Sequence, residues 1–380
     1  MVNPLGKLFG GSIFGFLHKG SSVLGIDIGS SSIKVVQLRK ERGAAVLETY
    51  GELSLGPYAG IEIGRAVNLD AEKLAEALLD VLKEANITTK NCGISIPFAA
   101  SLISLIKMPM LNEAQLKKMI PIEARKYIPV PITEVALDWF ILPEEGRRFL
   151  SSEAEAEGEV EEAKFRKVDV LLVAIHNETL AKYNAVVARG NLVASFFEIE
   201  IFSTIRSTIV QNTTPIMVID MGAATTKLYI VEYGIVRSSH IVNKGAQDIT
   251  LALSRMLGVS VAKAEEIKRE SGITGKSGDQ NISTAALLTL EYIFSESKRV
   301  MLQYQERYRR NISSILFVGG GALLKGLLPH AQTKFETDVR LGLPFSRTQS
   351  PAFLEQVLLE TGPSFSVAVG IALRKLEEMS

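Results

Sequence analysis

The chain has 380 residues, 47% of them apolar, with 42 basic and 42 acidic side chains. That length exceeds one ordinary domain, and zero net charge lacks the basic excess of a bulk nucleic-acid binder, so no nucleic-acid partner is expected. One cysteine, Cys92, and four scattered histidines exclude a disulfide framework and a cysteine- or histidine-rich metal site.

Residues 1–20 interleave Leu5, Leu8, Phe9, Ile13, Phe14, Phe16 and Leu17 with glycines and with Lys7 and Lys19. The glycine breaks and the lack of a clear cleavage site argue against a signal peptide. Two readings remain: a disordered terminus, or a tail for a membrane surface or partner. Apolar runs such as Val168–Ile175 are far shorter than the ~20 residues of a spanning helix.

Residues 23–38, VLGIDIGSSSIKVVQL, read as strand, tight turn, strand. Asp70 begins a helix to about Glu84, with Leu74, Ala77, Leu78, Val81 and Leu82 on one face. Gly93–Ile106 reads as one strand. Asn112 and Gln115 form a capping box that opens a helix to about Tyr127, with Pro121 inside it. Ala136–Leu142 and Val168–Ile175 read as strands, and the Glu- and Ala-rich stretch Glu144–Lys167 as a solvated loop. Residues 216–231, IMVIDMGAATTKLYIV, repeat the first hairpin at a constant offset of 193 residues. A repeat this long means two similar lobes. Helices follow at Ala246–Leu257, Ser260–Glu270 and Ser283–Arg310. A strand at Ser314–Val318 then runs into Gly319, Gly320 and Gly321, which are expected to open a helix. Ser364–Leu376 has helical spacing.

The chemistry lies in the two hairpins. Gly29 and Gly222 permit tight turns and close backbone approach. The amides of Gly29, Ser30 and Ser31 form an anion nest, and hydroxyls of Ser30, Ser31, Thr225 and Thr226 add donors. Asp27 and Asp220 would repel bare phosphate, so a divalent cation between them is implied, with Mg2+ the default. One Asp-x-Gly turn is an ordinary hairpin feature; two on matching strand pairs clamp a phosphate chain. The triple glycine lets backbone approach a flat or anionic ligand.

Phosphate turn, second phosphate turn and glycine loop, in that order, resemble the actin, hexokinase and heat-shock-chaperone superfamily. The resemblance implies an α/β, actin-like two-lobed ATPase fold that holds ATP and Mg2+. It places Asp27, Gly29, Ser30, Ser31 and Lys34 in the first phosphate motif and Asp220, Gly222, Thr225 and Lys227 in the second. Gly319, Gly320 and Gly321 fall in the adenosine motif. AEEIKR, residues 264–269, resembles the helix that contacts the nucleoside through Glu265 and Lys268; an exposed charged helix face accounts for the same pattern.

Within the superfamily the chain resembles the PilM family of type IV pilus assembly. The carrying segments are GIDIGSSSIKVVQL (25–38), ISIP (94–97), EARKYIPVPITEVALDW (123–139), DVLLVAIHNETLAKY (169–183) and KGAQDIT (244–250). The resemblance implies an inserted subdomain at 98–190, shared with the division protein FtsA. Lobe I then comprises 21–97, 191–215 and 361–380, after a tail at 1–20. The lobe II core comprises 216–243 and 314–360, and its helical subdomain 244–313. It further implies a cytoplasmic protein peripheral to the inner membrane, binding the N-terminal tail of a PilN-like bitopic partner beside the insert, with links to motor ATPases and room for self-association. Ala223 stands where actin has an acid, and Glu198 and Glu200 are the nearest water-positioning candidates, so slow or negligible hydrolysis is expected. An FtsA-like polymerising tether and a small-molecule kinase are the alternatives. Ser364–Leu376 reads as a core helix rather than an amphipathic anchor, and no motif supplies a kinase's catalytic Asp.

Overall fold

A computed structural model describes residues 22–109, 112–142, 167–210, 213–273 and 280–379. The expectations for residues 1–20 lie outside these, as does the expected loop Glu144–Lys167 apart from Lys167 itself.

Two five-stranded sheets have the same plan. The first contains β1 (Ser22–Ile28), β2 (Ser32–Glu41), β3 (Ala44–Ser54), β4 (Asn91–Ile96) and β8 (Val193–Ile199), ordered β3-β2-β1-β4-β8. The second contains β9 (Ile216–Met221), β10 (Thr226–Glu232), β11 (Ile235–Val242), β12 (Ser314–Val318) and β13 (Asp338–Leu341), ordered β11-β10-β9-β12-β13. In each, three antiparallel strands are followed by two parallel ones. The central strands are apolar on both faces, as strands covered on both sides must be; Val23, Leu24 and Ile26 in β1 and Met217, Val218 and Ile219 in β9 are fully buried.

Helices cover these sheets. The first is α1 (Ala71–Glu84), where the Asp70 carboxylate accepts from the Lys73 amide and Leu74, Ala77, Leu78 and Val81 face inward. The last, α10 (Ser366–Glu378), follows the short α9 (Glu355–Thr361) and lies almost wholly inside the first half. It runs so close to β1 that a Cβ on Gly25 would sit 1.9 Å from the Ala368 carbonyl oxygen. Ala352–Glu378 is the one stretch among the described residues long and apolar enough to cross a membrane, and 72% of its apolar window is buried. The second half is covered by α5 (Ala246–Leu257), α6 (Val261–Ser271) and α7 (Gln280–Tyr308), whose Leu253, Leu290, Ile293 and Phe294 pack with Phe317. The helix expected from Ser283 starts at Gln280, and Arg309, at φ 53, turns the chain out of it.

A third sheet departs from the repeat. Gly93–Ile106 is not one strand. Pro97 offers no amide to a ladder, the chain makes a 3-10 turn at Phe98–Ala100, and β5 (Ser101–Pro109) starts a new sheet. With β6 (Val135–Ile141) and β7 (Lys167–His176) it is ordered β5-β7-β6. One face is covered by α2 (Glu113–Ala124) through Leu116, Ile120 and Ala124. The Asn112–Gln115 capping box opens α2 as expected, but the helix ends at Ala124. The other face, with Val173 and Ile175, joins the core of the first sheet. The return path runs through α3 (Asn177–Arg189), β8 and α4 (Glu200–Thr208).

Candidate nucleotide-binding site

The two hairpin turns are built alike. Asp27 pairs with Lys34 across β1–β2, and Asp220 with Lys227 across β9–β10. The Gly29 amide donates to the Ser32 carbonyl at 3.0 Å, and the Gly222 amide donates to the Thr225 carbonyl at 3.0 Å. This corrects one expectation: the Gly29 amide closes its own turn, which leaves the nest to Ser30 and Ser31. Their carbonyls accept from Val67 and Leu55. On the other side the Gly222 and Ala223 carbonyls accept from the Ala246 and Gln247 amides, which ties the second turn to the start of α5.

Charge is concentrated between the turns. Asp27 accepts from the Ser95 hydroxyl at 2.8 Å. Burial pushes its carboxyl above the usual range, against the pull of Lys34, Ser95 and Lys227. The Lys227 ammonium reaches Glu200 Oε2 at 2.7 Å and Asp220 Oδ2 at 3.3 Å. Burial alone would lower its pKa, but Asp220, Glu200 and Asp27 raise it, so it stays charged. Lys34 binds Ser32 Oγ at 2.7 Å and Glu52 Oε1 at 3.1 Å. Four carboxylates, Asp27, Glu52, Glu200 and Asp220, therefore share the cleft with Lys34 and Lys227. The negative excess suits a divalent cation. Among the described residues no three His, Cys, Asp or Glu converge into a cage. A cation between Asp27 and Asp220 would complete its shell with phosphate oxygens and water, as Mg2+ does.

The far end is formed by the glycine loop and α6. Gly319 has φ +83, and a Cβ there would lie 2.5 Å from Asp220 Oδ1, so the fold itself requires glycine. A Cβ on Gly321 would meet Met221 Cβ at 2.7 Å. Around a Cβ on Gly320 there is nothing within 4 Å, so no protein atom accounts for that glycine. The loop opens only a 3-10 turn, Gly320–Leu323, not the expected helix; α8 (Leu327–Lys334) starts later. Glu265 and Lys268 are not an exposed face: they are 7% and 8% exposed. Lys268 Nζ donates to Glu265 Oε2 at 2.6 Å and to Thr250 Oγ1 at 2.8 Å. Burial works to raise the Glu265 carboxyl, but Lys268, Thr250 and Arg269 outweigh it and hold it at about 2.

Three contacts cross the mouth between the halves. Glu62 Oε2 accepts from the Val261 and Ala262 amides at the start of α6, at 2.8 and 3.3 Å. The Ala66 amide donates to Gln247 Oε1 at 2.9 Å. A Cβ on Gly64 would lie 3.0 Å from Glu265 Cβ.

The fourteen residues placed in the two phosphate motifs, the glycine loop and the α6 pair line one cavity of about 350 Å³, within the size range of ligand sites; Thr226, expected to add a donor, does not, because its buried hydroxyl donates to the Lys244 carbonyl at 2.8 Å. Ser95, Glu52 and Gln247 were missed. Ser95 lies in the ISIP strand and Gln247 in KGAQDIT, both distinctive segments, but only pairing across the fold shows what they touch. The two glutamates offered for positioning water part company. Glu198 is buried with Arg206 at 2.7 and 2.8 Å and Arg374 at 2.9 Å, while Glu200 faces the cleft.

Two sheets of one plan, each turning an Asp-x-Gly hairpin into a shared cleft, with a third sheet set into the first half, define an actin-like protein. The structure is similar to that of MreB5 of Spiroplasma citri bound to ADP (TM-score 0.50, 12% identity, 94% of this chain and 97% of that one). It is also similar to the solved PilM-PilN type IV pilus biogenesis complex (TM-score 0.76, 23% identity, 93% of this chain and 98% of that one). In sequence it is 24% identical over 377 residues to cell division protein FtsA of Streptococcus pneumoniae serotype 2, covering 88% of this chain and 78% of that protein. Over residues 25–376 it matches the family of the type IV pilus assembly protein PilM, and the chain belongs to that family.

Proposed function

We propose that the cleft binds ATP with Mg2+ and that its occupancy governs binding of the N-terminal tail of a PilN-like membrane partner. The observation that carries this is the pair of equivalent turns, one from each half, facing one cavity whose end between the turns holds four carboxylates against two lysines. Asp27 and Asp220 hold the cation, and Ser30, Ser31, Thr225, Lys34 and Lys227 hold phosphate. Gly319, Gly320 and Gly321 lie against the nucleoside with Glu265 and Lys268. An actin-like neighbour solved with ADP supports a nucleotide in a fold of this shape. Ala223 beside the second turn offers no acid to orient water, and both Glu200 oxygens are engaged, so hydrolysis is slow or absent.

Family membership and a similar structure solved as a PilM-PilN complex support the partner. The tail docks beside the inserted subdomain, 98–190, where β6 and β8 are edge strands of their sheets. Edge strands accept an added strand through main-chain hydrogen bonds. Such a partner would place the chain at the inner membrane as a peripheral component. Lobe I is formed by 21–97, 191–215 and 361–380, and lobe II by 216–360, with 244–313 as its helical part. Titration with ATP and Mg2+ should give saturable binding that Asp220→Asn weakens at least tenfold, about 1.4 kcal/mol. No binding at millimolar nucleotide would sink the proposal.

A further inference from the structure

The Glu200 carboxylate joins the cleft to the root of the third sheet. β4 and β8 lie side by side, with Ile96 next to Ile199. The chain leaves β4 through Pro97 and Phe98 into the third sheet and comes back through α3 and β8 to Glu200. Glu200 is 8% exposed. Its Oε1 accepts from the Phe98 amide at 2.7 Å, and its Oε2 accepts from Lys227 Nζ at 2.7 Å. Lys227 also reaches Asp220. One buried carboxylate thus touches the second phosphate turn with one oxygen and the entry to the third sheet with the other. An acid in the first turn of α4 suits the helix dipole, but that role needs neither the Phe98 amide nor a lysine from the other half.

We propose that Glu200 is a positioning residue that carries the state of the cleft to the third sheet. This rests on the cleft taking a nucleotide. Phosphate oxygens draw the Lys227 ammonium toward themselves and away from Glu200. A buried carboxylate that loses its counter-ion is costly where it stands, so the Glu200 side chain re-seats and its bond to the Phe98 amide changes. Phe98 is 6% exposed and packs in the same core as Val173 and Ile175 of β7. Movement at its amide therefore reaches β5 and β7 instead of being absorbed in a loop. The result is a third sheet whose placement follows the cleft, with a partner surface beside it.

Hydrogen exchange of the full chain, with and without saturating ATP and Mg2+, tests this. In the wild type, exchange in residues 98–109 should change about tenfold or more, the effect of one hydrogen bond to a charged acceptor. Glu200→Gln keeps an acceptor for the Phe98 amide but offers Lys227 no charge. It should lose the response in 98–109 while the turn at 220–227 and α5 still respond. A wild type whose phosphate turns are protected while 98–109 stays unchanged overturns the coupling and leaves the nucleotide site standing. An equal response in Glu200→Gln also overturns it. No protection anywhere in the wild type sinks the nucleotide site, and the coupling with it. If Glu200→Gln fails to fold, Glu200→Asp, too short to span both partners, is compared in the same way, and the wild-type comparison needs no variant.

Discussion

Gly320→Ala separates a glycine kept for the fold from one kept for a ligand. A methyl group there meets no protein atom within 4 Å, and its backbone is not in the left-handed region. Removing glycine's extra freedom from the unfolded chain should leave stability unchanged or raise it by about 0.4–1 kcal/mol. Yet Gly320 lines the cavity, between two glycines whose added Cβ atoms would strike Asp220 and Met221. The new methyl must occupy space that a nucleoside would use, and displacing a flat ligand from close backbone contact should weaken nucleotide binding at least tenfold, about 1.4 kcal/mol. Gly319→Ala is the control. Its methyl would lie 2.5 Å from Asp220 Oδ1 at a positive φ, so it should destabilise the fold by about 2 kcal/mol or more. Denaturant unfolding and nucleotide titration of both variants decide the matter. A Gly320→Ala variant that is clearly destabilised, or that binds nucleotide like the wild type, refutes the reasoning.

Other outcomes follow from the same geometry. Glu198→Ala removes the carboxylate that Arg206 and Arg374 share, with side chains 21% and 17% exposed, while Arg374 keeps Glu378 at 3.0 Å; unfolding free energy should fall by about 3 kcal/mol, the low end for a broken buried pair. A loss below about 1 kcal/mol would show that these arginines re-pair. The Glu265 carboxyl is depressed from 4.5 to about 2. Its stabilisation is therefore present above pH 4.5 and is lost as pH falls toward 2. Glu265→Gln should flatten that limb of the stability curve, and an unchanged acid limb would contradict the ion pair. Multiple-turnover phosphate release should stay well below about 1 per second, and a rate at or above that would restore a hydrolytic role to the site.

The twin hairpins were the most legible part of the chain. Their shared spacing, with an Asp, a Gly and a Lys at one offset, reflects a local turn geometry that only a few residues define, and the structure brings both to one cavity. The Asn112 cap was legible for the same reason, since its partner Gln115 lies within one helical turn. What escaped depends on distant partners. Glu198 and Glu200 look alike in sequence, and only Arg374 on α10 and Lys227 on β10 tell them apart. The apolar run from Gly93 looked continuous because strands in two sheets share one alternation, and Pro97 alone marks the break.

The proposed coupling runs from an occupied cleft to the grip on a membrane partner's tail. It is tested most directly by titrating a fluorescent peptide, the N-terminal tail of a PilN-like partner, with the full chain, in the presence and absence of ATP and Mg2+. Saturable binding is expected, with an affinity that differs at least tenfold between the two conditions. The same affinity in both, or no binding in either, would contradict it.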